Sequence, residues 1–94
     1  MNKNSIIGTG KQAEITITYS ELKKIFGEPN QETNDKIDAQ WKINTPFGIG
    51  TIYNYKNGKN YLGEDGLYIE EITDWHIGGH NIETADWIIN KLNF

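Results

Sequence analysis

The chain has 94 residues, a formal net charge of −4 and no cysteine. That length holds one hydrophobic core, and the missing thiols exclude disulfides and thiolate metal sites. All nine basic residues are lysines, with no arginine; the mild net negative charge argues against the basic patch by which direct nucleic-acid binding announces itself, and the missing arginine leaves no guanidinium fork for an anion.

Residues 1–12 are polar with Gly8 and Gly10, and read as a flexible N-terminal segment preceding a single α+β domain over residues 13–94. No apolar run is long enough for a secretory signal or a membrane span. Ala13, Ile15, Ile17 and Tyr19 alternate with polar residues, the pattern of a half-buried strand. Ser20 then reads as the cap of a short helix, Glu21 to Phe26, whose apolar face is Leu22, Ile25 and Phe26 and whose stop is Gly27 before Pro29.

A second strand is expected around Ala39, Trp41 and Ile43. Thr45-Pro46-Phe47-Gly48 is a turn signal, and a third strand runs from Ile49 to Lys56, with Thr51, Tyr53 and Tyr55 on one face. Asn57-Gly58 is the dipeptide of a type I′ hairpin turn, and Glu64-Asp65-Gly66 marks another turn. Leu67 to Ile77 reads as one bent strand or two short ones. Asn81 caps a last helix, Ile82 to about Lys91, with Ile82, Ala85, Ile88, Ile89 and Leu92 on its apolar stripe. The order β-α-β-β-β-α implies an antiparallel sheet of about four strands with two helices packed on one face.

The segment Ile72 to Asn81 contains both histidines and one of the three tryptophans. Its Gly78-Gly79-His80-Asn81 portion joins a strand to a helix, where orphan N–H groups and the helix dipole favour an anion; a positive φ is expected at one glycine. His76, Gly78, Gly79, His80 and Asn81 are therefore candidate ligand contacts, joined by Tyr53 and Tyr55 as a stacking platform if one sheet face carries no helix. Asp74, His76 and His80 lack the spacing of a metal site, and no serine sits in a nucleophile elbow. Neither a metal, a cofactor nor a catalytic residue is assigned. The acidic residues from Glu64 to Asp74 lack calcium-loop spacing and read as a solvated face.

Taken together, Ile17-Thr18-Tyr19-Ser20-Glu21-Leu22, Phe26-Gly27-Glu28-Pro29, Trp41, Thr51-Ile52-Tyr53-Asn54-Tyr55-Lys56 and Asp74-Trp75-His76-Ile77-Gly78-Gly79 resemble a group of small phage-encoded proteins. The likeness spans roughly residues 15–92 and carries over no site residue. It implies a phage accessory protein in the cytoplasm of a bacterial host, acting by non-enzymatic binding. The expected role is inhibition of antiviral defence, by sequestering a nucleotide or other small anion, or by blocking a host defence protein. Two other classes stay open: a His-dependent phosphodiester hydrolase, and an adaptor that forms homo-oligomers through an aromatic face.

Overall fold

In the computed structural model, residues 8–92 are described. They form four strands, β1 (Gly10–Thr16), β2 (Gln40–Thr45), β3 (Gly48–Tyr53) and β4 (Asp74–Gly79), with helices α1 (Tyr19–Phe26), α2 (Lys59–Leu62) and α3 (Ile82–Lys91). Two 3₁₀ turns, Gly63–Asp65 and Ile69–Glu71, lie between α2 and β4. The strands make one antiparallel sheet in the order β1-β4-β3-β2. The expected α+β architecture is the one observed. No helix among the described residues is long and apolar enough to cross a membrane.

Strand alternation decides which face is which. Ile15, Trp41, Ile43, Ile52, Trp75 and Ile77 point into one buried cluster with Leu22 of α1, Ala85 and Ile88 of α3, and Leu92 at its C-cap. Trp41 and Trp75 meet edge to face at 5.5 Å, and Tyr19 packs on both. A buried indole N–H needs a partner. Trp41 Nε1 donates to the Gly27 carbonyl at 2.8 Å and Trp75 Nε1 to that of Ile17 at 3.0 Å. Glycine makes room where α3 comes close: a Cβ on Gly50 would stand 2.5 Å from Ile88 Cδ1.

Several expected boundaries move. β1 begins at Gly10, inside the segment read as a flexible end; residues 1–7 of that segment lie outside the described residues. Tyr19 opens α1 instead of ending a strand, because Thr18, not Ser20, is the cap: its hydroxyl accepts from Glu21 N–H at 3.2 Å. Ile25 and Ile82, placed on apolar stripes by spacing, are exposed. Trp87, which spacing puts off the stripe, packs partly against the core.

The largest difference is at Asn57-Gly58, which forms no hairpin. Gly58 is extended at φ −105° and leads into α2. A long-range polar network outcompetes the local turn preference. The fully buried Asn54 accepts from the N–H groups of Asp38 and Ala39 at 2.8 and 3.0 Å, and its amide donates to Asp38 Oδ1 and Asn57 Oδ1. Asp38 Oδ2 takes the N–H of Asn60, and Asn57 Nδ2 donates to the Asp74 carbonyl. The chain is thereby held between β3 and β4 as an irregular excursion, residues 54–73, where a bent strand was expected from Leu67 onward.

Strand β2 is one edge of the sheet. Along it, Asn30 Oδ1 accepts from Lys42 N–H at 2.7 Å and Asn30 Nδ2 donates to the Lys42 carbonyl at 3.2 Å. The N–H groups of Asn30 and Gln31 both donate to the Gln40 carbonyl.

Candidate functional site

Residues that point away from α3 assemble the candidate site. Trp75, Ile77 and Gly79 face the helix, a Cβ on Gly79 standing 3.2 Å from Thr84, so Asp74, His76 and Gly78 face the other way. Register brings Tyr53 opposite His76 and Thr51 opposite Gly78. On that face the rings of Tyr53 and His76 lie 5.4 Å apart, those of Tyr55 and His76 5.6 Å, and those of Tyr53 and Tyr55 6.4 Å. Three of the residues proposed as ligand contacts from sequence thus form one mutual cluster. Gly78 adjoins it: a Cβ there would stand 2.6 Å from Thr51 Oγ1 and 3.4 Å from the Tyr53 ring.

Strand β1 adds two residues that sequence reasoning missed. His76 Nε2 lies 3.2 Å from Glu14 Oε1, and Lys11 Nζ lies 3.2 Å from Glu14 Oε2. Residues three apart in a regular strand point to opposite faces. Here a bulge between Lys11 and Ala13 absorbs Gln12, pairing Lys11 with Gly78 and Glu14 with His76 on the same side. Polar alternation on β1 marked Glu14 as outward-facing, but neither the bulge nor the cross-strand register is written in any local pattern. The site is therefore a row, Lys11–Glu14–His76, ending against two tyrosines.

The charges in that row follow from their neighbours. The Lys11 ammonium, by hydrogen bond and by charge, holds the Glu14 carboxyl below its usual range. Burial pushes the His76 imidazole below its ordinary pKa, and Lys11 adds to this, against the opposite pull of Glu14. His76 is therefore a neutral imidazole at pH 7, its Nε2–H donated to Glu14 and its other nitrogen left as an acceptor. Burial likewise raises the Tyr53 hydroxyl, so that this residue stays a neutral phenol.

A second cation closes the opposite end. Lys56 Nζ lies 5.2 Å from the centre of the Tyr55 ring and 5.3 Å from that of Tyr61. Lys56 sits at φ 60°, the one non-glycine residue at positive φ among those described, and its N–H donates to the Lys36 carbonyl. Tyr55 and Tyr61 are 40% and 46% exposed, so both rings present surface to a ligand.

The remaining candidates lie elsewhere. Gly78 and Gly79 are inside β4, paired with β1 on one side and β3 on the other, and neither has positive φ. The expected glycine nest is thus not formed: both glycines serve close packing, one on each face of the sheet. Asn81 caps α3 as expected, its Oδ1 accepting from Thr84 N–H at 2.9 Å and from the Thr84 hydroxyl at 2.8 Å, while its Nδ2 donates to the Phe47 carbonyl. His80 stands at the bend before α3, beside Gly8. At about 3.3 Å per residue, His76 and His80 are about 13 Å apart along the chain. Among the described residues, no three of His, Asp and Glu converge on a point where a cation could bind.

Chemically, the arrangement offers flat π surfaces, one neutral imidazole acceptor and a lysine at each end. It offers a base oriented by a carboxylate, yet Ser20, the one serine among the described residues, is on α1 with its hydroxyl against Thr18. Set against protein-family models, curated proteins and solved structures, the chain matches none of them.

Proposed function

We propose that the chain is a non-enzymatic binding protein whose working surface is the Tyr53–Tyr55–His76 cluster, and that its ligand is a small planar molecule of the nucleotide class. The observation that carries this reading is the mutual contact of three rings, at 5.4 to 6.4 Å, on the sheet face turned away from α3. Aromatic faces hold a base by stacking, worth about 1–3 kcal/mol per base in single-strand binding proteins. With the phage setting that the resemblance implies, this becomes an accessory protein in the host cytoplasm that sequesters a nucleotide signal of antiviral defence. Gly78 is buried beside it, packed close to Thr51 and Tyr53, and Gly79 and Asn81 support it by fixing the junction of β4 with α3.

Titration calorimetry against a panel of cyclic and linear nucleotides tests the reading. Binding should appear for at least one of them and should fall at least tenfold in Tyr55→Ala, whose half-exposed ring contributes little to folding. No heat across the panel, with the protein shown folded, would overturn it.

A second reading, obstruction of a host defence protein, is favoured by a different observation. Tyr61, Leu62, Leu67 and Tyr68, all 43–62% exposed, fall within the excursion between β3 and β4. Such residues are common at protein interfaces and costly to leave in water. The hydrolase alternative draws on the Glu14–His76 pair, and turnover of a phosphodiester lost in His76→Gln would support it. The homo-oligomer alternative is read directly by sedimentation at micromolar concentration.

A further inference from the structure

The ring cluster is flanked by two lysines, and they are not equivalent. Lys11 is already committed: its ammonium is 3.2 Å from Glu14, which is itself shared with His76. An anion arriving there meets a carboxylate as well as a cation. Lys56 has no carboxylate within ion-pair distance among the described residues, and its ammonium lies instead between two exposed rings, Tyr55 and Tyr61. A cation over an aromatic face gains part of the attraction it would have for an anion. It keeps open the direction away from the rings, where a strong acceptor can bind. The left-handed backbone at Lys56, and the N–H bond to Lys36, fix where that side chain leaves the chain.

On the nucleotide reading above, we infer that Lys56 is the phosphate contact of this surface, and that Tyr55 is the ring on which the base stacks. The ligand class is then narrowed to a planar ring carrying a phosphate within the reach of one lysine side chain: a mononucleotide or cyclic mononucleotide, with the phosphate at the Tyr61 end and the base toward His76. Lys11 takes no phosphate. It holds Glu14, and through Glu14 it orients His76 to accept from the edge of the base.

The test compares adenosine, adenosine monophosphate and inorganic phosphate by calorimetry on the full chain at low salt. Adenosine monophosphate should bind about tenfold more tightly than adenosine, the size expected for one charge-assisted hydrogen bond at an exposed site. Inorganic phosphate alone should bind more weakly than either. Lys56→Gln keeps the same backbone demand and should erase the difference between nucleotide and nucleoside while leaving adenosine affinity within twofold; Lys56→Arg should restore most of the difference. Lys11→Gln should leave the ratio unchanged. Equal affinity of the unaltered chain for adenosine and its monophosphate would overturn the assignment of Lys56 and leave the stacking surface standing. So would a ratio that survives in Lys56→Gln or disappears in Lys11→Gln. Absence of binding by all three probes would overturn this inference, and silence over the wider nucleotide panel would remove the reading beneath it.

Discussion

The two faces of the sheet are built by the same strands and follow opposite rules. Toward α1 and α3, Trp41, Trp75, Ile52, Ile77 and Ile88 are fully buried, and both indole N–H groups are matched to a backbone carbonyl. On the other face, Tyr53, Tyr55 and His76 contact one another, yet Tyr55 remains 40% exposed, and the charged groups Glu14 and Lys11 lean on the cluster from β1. The first face is closed on itself and gains stability from volume. The second has acceptors, π surface and a cation with no carboxylate partner among the described residues, groups that contribute little to folding and are available to something else. This separation of stability from binding holds at the Tyr53–Tyr55–His76 end of the second face, whereas Ile49, Thr51 and Gly78, of the same strand parity, are buried.

Removing a large side chain from the closed face is the strongest test of that separation. Trp75→Ala should cost about 3–5 kcal/mol, a large share of the stability of a domain this small. Denaturant unfolding reads it directly, and a midpoint close to that of the unaltered chain would mean that the two faces have been exchanged.

A smaller and sharper effect comes from two adjacent glycines on opposite faces. A side chain at Gly79 meets Thr84 at 3.2 Å, and one at Gly78 meets Thr51 Oγ1 at 2.6 Å and the Tyr53 ring at 3.4 Å. Valine at either position should destabilise by about 1–3 kcal/mol through overpacking. Gly78→Val should in addition weaken nucleotide binding, by displacing Tyr53, whereas Gly79→Val should leave the affinity of the folded fraction as it was. Loss of affinity in both variants would show that the junction with α3 is itself part of the ligand surface.

The smallest effect is a pH dependence at His76. Its pKa in the folded chain lies below the unfolded value of about 6.5, so between the two the unfolded state binds more protons than the folded one. Stability should therefore rise with pH across that window and fall on acidification through it. His76→Gln should flatten the slope between pH 5 and 7. Glu14, whose carboxyl is lowered by Lys11, acts in a separate and more acidic window, where its contribution is lost as pH drops through the folded value. An unchanged slope in His76→Gln would place the imidazole in a more watery setting than its packing against Tyr53 and Tyr55 implies.

How much of this was legible in the chain depends on the range of the interactions. The strands β1 to β3 and helices α1 and α3 follow from two-residue and 3.6-residue periodicity, β4 only in its Asp74–Ile77 part, and Asn81 was readable as a cap because its partner, Thr84, is three residues away. Tyr53, Tyr55 and His76 were readable as candidates by residue type and parity. Their contact with one another needed the register of β3 on β4, and their contact with Glu14 needed the bulge in β1. Asn57-Gly58 failed as a turn signal for the same reason. Its strong local preference is overruled by Asp38, a residue on the far side of β2 and β3 in sequence, through Asn54. Lys56 carried no signal at all: its role depends on Tyr61 coming back across from α2.

Asn30 has a consequence for how this protein behaves in a crowded cell. A sheet with an exposed edge is a template on which further chains can be recruited. By offering one amide oxygen and one amide N–H to Lys42 at 2.7 and 3.2 Å, the Asn30 side chain occupies the hydrogen-bonding positions that an incoming strand would use. With the backbone N–H groups of Asn30 and Gln31 on the Gln40 carbonyl, it blocks growth at the β2 edge, one of the two edges of the sheet. An exposed, tyrosine-rich surface can then be kept on the same small molecule with the β2 edge closed to strand addition.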